Sequence, residues 1–184
     1  MRCFISIEIP EHAKSRVFHE FENLKTKNLF KGKFVEKENL HLTLKFLGKI
    51  TNEELEEIKK RLKEIKFEKF DCHVGKTGFF KNKSHIKVIW VELISKNLKE
   101  LQKKINKTTL DFLTDNKKFN SHLTIARVKS IPDKSRLINE VKKIHFKKLG
   151  FEINEFVLMK SELFPEGPKY KIIEKFKLKN SFCF

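Results

Sequence analysis

The feature that most restricts the fold is a short motif that occurs twice, His41-Leu42-Thr43-Leu44 and His122-Leu123-Thr124-Ile125. Each copy lies in a stretch rich in β-branched, aromatic and aliphatic residues, which predicts a strand. Side chains of a strand alternate between faces, so each strand shows an imidazole and a hydroxyl on one face and apolar residues on the other. A buried strand rarely divides its faces in this way. The two copies, each adjoining predicted helices, point to a repeated unit and to two lobes related by approximate two-fold symmetry.

The rest of the chain fits that frame. Residues 2–9 alternate and predict a strand, which Pro10 ends, and an amphipathic stretch to about Asn28 predicts a helix. Residues 34–47 predict an extended segment around the first motif, closed by Gly48. Thr51-Asn52-Glu53-Glu54 then opens a helix to about Ile65 with a capping-box signature. Strands at 69–80 and 85–93 flank the polar link 81–84, and Leu98, Leu101, Ile105 and Phe112 mark a helix over 96–114. The second motif strand, 121–128, precedes a helix over 133–144. Two further strands, 149–163 and 169–179, are joined through Pro165-Glu166-Gly167-Pro168. The expectation is one α+β domain over residues 1–184, with mixed or antiparallel sheets.

Composition narrows the setting. A chain of 184 residues, 39% hydrophobic, can bury a core without disulfides or structural metals. Its apolar runs are too short for a membrane span. Cys3, Cys72 and Cys183 form no C-x-x-C pair, so a soluble protein of a reducing, cytoplasmic compartment is expected. The formal net charge of +17 favours polyanions, nucleic acid first. Lysine and glutamate enrichment of the kind seen in heat-adapted proteins accounts for the same count equally well.

Two imidazoles and two hydroxyls suit the splitting of a phosphodiester. A base must deprotonate the attacking oxygen and an acid must protonate the departing one, and imidazole titrates near neutrality. Thr43 and Thr124 can donate hydrogen bonds to the non-bridging oxygens, where charge accumulates. There is no H-E-x-x-H, no aspartate cluster and no Walker-type glycine loop, so neither a metal nor another cofactor is expected. His12, His19, His73, His85 and His145 lack the motif and read as surface or satisfied residues.

Around these motifs the chain resembles the two-histidine (2H) phosphoesterase superfamily, and within it the RNA 2′,3′-cyclic phosphodiesterases, also described as 2′-5′ RNA ligases. The resemblance is carried by R-x-F-I-S-I-E-I-P at 2–10, H-L-T-L-K-F-L-G at 41–48, S-H-L-T-I-A-R at 121–127 and S-E-L-F-P-E-G-P-K-Y at 161–170. It implies a bilobal fold, with two mostly antiparallel sheets facing a central cleft and helices outside. It also implies that water opens a 2′,3′-cyclic phosphate to a 2′-phosphomonoester, with His41 as general acid and His122 as general base. The implied partner is RNA with a cyclic phosphate end, or a small cyclic nucleotide, bound by a monomer. Ligation of tRNA halves through the same groups, and an RNA-end-binding module without turnover, are the alternatives. Arg127 stands at the family's arginine position, but strict alternation points it away from His122, so a bend after Ala126 would be required. Alternation also places Lys45 on the His41 face and Phe46 with the apolar set. Phe46, Trp90 and Tyr170 are candidates to stack on a base, with a core role favoured for Phe46 and Trp90.

Overall fold

The computed structural model describes residues 1–112, 118–165 and 167–180. These contain nine strands and four α-helices: β1 Arg2–Glu8, α1 Glu11–Thr26, β2 Lys31–Phe34, β3 His41–Lys49, α2 Asn52–Lys63, β4 Phe70–Asn82, β5 His85–Ile94, α3 Lys96–Thr108, β6 His122–Ser130, α4 Lys134–Lys142, β7 Gly150–Ile153, β8 Glu155–Phe164 and β9 Gly167–Lys177. One sheet has the order β3-β1-β8-β9 and the other β2-β6-β5-β4-β7. All of these neighbours are antiparallel. The expected α+β, two-sheet architecture is present.

The helices form where the sequence supplies both a buried stripe and a start signal. In α1 the buried residues Ala13, Lys14, Val17, Phe21 and Leu24 recur at helical spacing after Pro10. At α2 the capping box closes reciprocally: the Glu54 N–H donates to Thr51 Oγ1 at 3.2 Å, and the Thr51 N–H donates to Glu54 Oε2 at 2.8 Å. Asp133 caps α4 by accepting from the Arg136 N–H at 2.9 Å. Helix α3 packs on β3, and α4 packs on β4. No helix among the described residues is long and apolar enough to cross a membrane.

The succession β1-α1-β3-α2 is repeated as β5-α3-β6-α4. In sheet order, β3-β1-β8-β9 matches β6-β5-β4-β7, with β2 added at the second sheet's edge. The buried and exposed positions of β3 and β6 correspond almost residue for residue. Strands β3 and β6 lie against each other between the sheets. The duplicated motif is thus brought to the middle of the molecule from both sides.

Three boundaries differ from expectation. The segment 34–47 is not one strand. β2 ends at Phe34, a 3₁₀ turn occupies Lys37–Asn39, and β3 starts at His41. The stretch 149–163 is divided at Asn154, so that β7 pairs with β4 in one sheet and β8 pairs with β1 in the other. Phe151, Ile153, Phe156, Val157 and Leu158 are all buried, so apolar content alone does not mark the crossing. Helix α3 stops at Thr108. The buried Thr109 turns the chain by donating its hydroxyl to the Ile105 carbonyl at 2.7 Å. Residues 113 and 114 of the expected helix lie outside the described residues, as do Glu166 of the 165–168 link and Cys183.

Candidate active site

Both motif strands carry a β-bulge at the same place. In β3, Thr43 pairs with Ser6 and Lys45 with Ile5, which leaves Leu44 without a partner. In β6, Thr124 pairs with Trp90 and Ala126 with Ile89, which leaves Ile125 without one. One extra residue resets the alternation. After the bulge, Lys45 and Ala126 join Leu44 and Ile125 in the interior, while Phe46 and Arg127 return to the face of the histidines.

This corrects three expectations. Arg127 reaches the His122 face without a bend after Ala126, because the bulge precedes that residue. Lys45 is not on the His41 face: it is 5% exposed, and its Nζ donates to the Thr109 carbonyl at 2.6 Å. Phe46 is not a core residue, being 53% exposed with its ring 6.2 Å from that of Phe4.

The two imidazoles are held alike. His41 Nδ1 is 2.7 Å from the Asn39 carbonyl, and His122 Nδ1 is 2.7 Å from the Asn120 carbonyl. A carbonyl only accepts, so each Nδ1 carries the proton and each Nε2 is left free to take or give one. Thr43 Oγ1 lies 3.1 Å from His41 Nε2. The repeat is therefore N-x-H-L-T, a longer signal that the sequence carries at Asn39 and Asn120. The side-chain amide of Asn39 also donates to the Pro168 carbonyl at 3.3 Å, tying the His41 strand to the start of β9.

Aromatic rings flank each histidine. Tyr170 meets His41 edge-on with ring centroids 5.0 Å apart, and Phe4 lies 5.0 Å away on a tilted plane. Phe4 and Tyr170 belong to a small apolar cluster with Val157, Met159 and Ile172, separate from the main core. Phe80 meets His122 edge-on at 4.7 Å, and Trp90 lies 6.4 Å from it. Trp90 spreads over Gly78, where a Cβ would fall 2.3 Å from the indole ring. Phe80 was not singled out from the sequence. With 19 phenylalanines in the chain, composition gave no reason to choose it.

Burial pushes the His41 imidazole down to about 4; the Asn39 carbonyl opposes this, and the positive charges of Lys14, His122 and Arg127 add to it. His122 is lowered by burial, again opposed by its carbonyl partner and assisted by Arg127. The Tyr170 phenol is raised by burial, with Arg127 opposing. Arg127 thus acts electrostatically on groups of both sheets. By themselves both imidazoles are neutral at pH 7. An anion placed among them would reverse the trend by favouring protonation. The other five histidines are exposed, as expected.

The LigT-like phosphoesterase model matches the chain twice, over residues 7–90 and 91–170, one H-L-T motif falling in each match. The RNA 2′,3′-cyclic phosphodiesterase of Methanocaldococcus jannaschii is 36% identical over 178 residues, covering 95% of this chain and 99% of that protein. The protein of the same name from Thermotoga maritima is 34% identical, covering 94% of this chain and 93% of its own length. The crystal structure of TT0787 of Thermus thermophilus superposes with a TM-score of 0.84 at 25% identity, covering 98% of this chain and all of that one. With the paired strands, these likenesses establish that the chain belongs to the LigT-like phosphoesterase family.

Proposed function

We propose that this protein is an RNA 2′,3′-cyclic phosphodiesterase in which His41 and His122 act on one phosphate held between the two motif strands. The observation that carries this reading is the matched pair of bulged strands, which give His41, Thr43 and Phe46 from one sheet and His122, Thr124 and Arg127 from the other. The relatives named above carry the same activity in their names.

His122 Nε2 takes a proton from water, and the water oxygen forms a bond to phosphorus. The bond from phosphorus to the 3′ oxygen breaks, and His41 Nε2–H protonates that oxygen, leaving a 2′-phosphomonoester. His41 enters this step protonated because the phosphate anion offsets the burial that otherwise keeps the ring neutral. Thr43, Thr124 and Arg127 meet the non-bridging oxygens, with Arg127 suited to a bidentate contact. Both half-sites come from one chain, so the reaction needs no second copy. A cytoplasmic setting is in keeping with an RNA end as substrate.

The test is incubation of an oligoribonucleotide bearing a 2′,3′-cyclic phosphate, followed by assignment of the product phosphate to the 2′ or 3′ oxygen. Wild type yields the 2′-phosphate, without inhibition by chelators. His41→Ala and His122→Ala each lose about 10²-fold or more in rate while keeping their fold. A cyclic end that survives prolonged incubation with wild type would identify an end-binding module instead.

A further inference from the structure

Strand β2 is only four residues long. Lys33 stands directly opposite Arg127 in the β2–β6 pairing, so the two side chains share a face. That face is the one bearing His122. The Lys33 Nζ lies 2.8 Å from the position a Cβ on Gly167 would occupy, which carries the ammonium from the second sheet to the β8–β9 turn of the first. Phe164 is the cross-strand partner of Gly167, is 41% exposed, and has the Lys169 ammonium 4.9 Å above its ring.

Among the described residues no ion pair joins Lys33 or Arg127 to a carboxylate. Other lysines of the molecule do: Lys63 pairs with Glu174 at 2.9 Å and Lys175 with Glu155 at 2.8 Å. Like charges directly opposite on neighbouring strands are unfavourable. An anion beside them relieves that repulsion, as phosphates do for paired cations in nucleic-acid sites.

We propose that Lys33 binds the phosphodiester one nucleotide upstream of the cyclic end, while Arg127 addresses the cyclic phosphate itself, an inference that rests on the function proposed above. Arg127 acts on both imidazoles, whereas Lys33 sits one strand further out, on the strand at the sheet edge. Phe164 offers an aromatic surface beside the same turn for the upstream base. The substrate class is therefore an oligoribonucleotide end, in preference to a nucleoside 2′,3′-cyclic phosphate, which lacks the upstream phosphate.

The experiment compares kcat/KM on a nucleoside 2′,3′-cyclic phosphate and on a dinucleotide with the same cyclic end, for wild type, Lys33→Met and Lys99→Met. Wild type should favour the dinucleotide by about tenfold or more, the scale of one charge-assisted contact. Lys33→Met should lose most of that preference through KM, and Lys99→Met, which removes an equal charge from α3, should keep it. A melting temperature for Lys33→Met no lower than wild type shows that the loss is not unfolding. The inference is overturned if wild type shows no preference, if Lys33→Met retains it, or if that variant weakens both substrates equally. Failure of wild type to open either substrate overturns the proposed function itself, whatever Lys33 does.

Discussion

Lys45 Nζ donates to the Thr109 carbonyl at 2.6 Å, joining the strand that carries His41 to the end of α3. The bond is buried, and desolvation lowers the lysine pKa, with Asp111 opposing. Lys45→Met keeps the stem and deletes the donor, leaving a carbonyl without its partner. It should destabilise the fold by about 1–3 kcal/mol, measured by denaturant unfolding. Activity per folded molecule should change little, because Lys45 points away from the cleft.

Folding stability should fall on mild acidification. The folded state holds His41 at about 4, below its ordinary value of 6.5. The unfolded chain therefore binds more protons between these values, and stability declines as pH drops from about 6.5 towards 4. From pH 7 to pH 5 the loss attributable to His41 is about 2 kcal/mol. Urea unfolding of wild type and His41→Gln at both pH values checks it, because the variant should lose that much less. Saturating inorganic phosphate should reduce the difference for wild type.

Arg127→Gln should lower kcat/KM by about tenfold to a hundredfold, since a charged contact to the phosphate is lost. Its charge also lowers both imidazoles of the free protein. The acid limb of the kcat/KM profile should therefore move to higher pH in the variant. A loss of rate with an unmoved limb would show that Arg127 does not act on the histidines.

Gly78→Ala probes the support beneath His122. The added methyl would fall 2.3 Å from the Trp90 ring, so the indole must shift, and with it the wall beside His122. A destabilisation of about 1–3 kcal/mol is expected from overpacking. The loss of kcat at a temperature where the variant is fully folded should be about tenfold or more. Tryptophan fluorescence, which reports Trp90 alone in this chain, should change in the folded state.

The pair of H-L-T motifs was enough to find the two strands, their shared chemistry and the duplication, because imidazole and hydroxyl at alternate positions are conspicuous in an apolar strand. The bulge was not legible. In the second copy Ile125 and Ala126 are consecutive apolar residues, which hints at broken alternation. In the first copy the corresponding interior position is Lys45, a residue that reads as exposed, so Lys45, Phe46 and Arg127 were all assigned to the wrong face together. Strand β2, Lys-Gly-Lys-Phe, has no apolar alternation at all. Its existence depends on an open edge of β6, a property of the folded sheet. Lys33 was missed for the same reason.

The crossing at Asn154 bears on the order of synthesis. The first sheet places β1 between β3 and β8, and β8 begins at Glu155. On the ribosome the second sheet's strands, including β7, emerge before this partner exists, so a nascent chain ending near Asn154 presents β1 with a bare hydrogen-bonding edge. Such edges invite mispairing with other chains. Tyr170 arrives later still, on β9, so the surroundings of His41 are completed only after that strand has followed β8 into place.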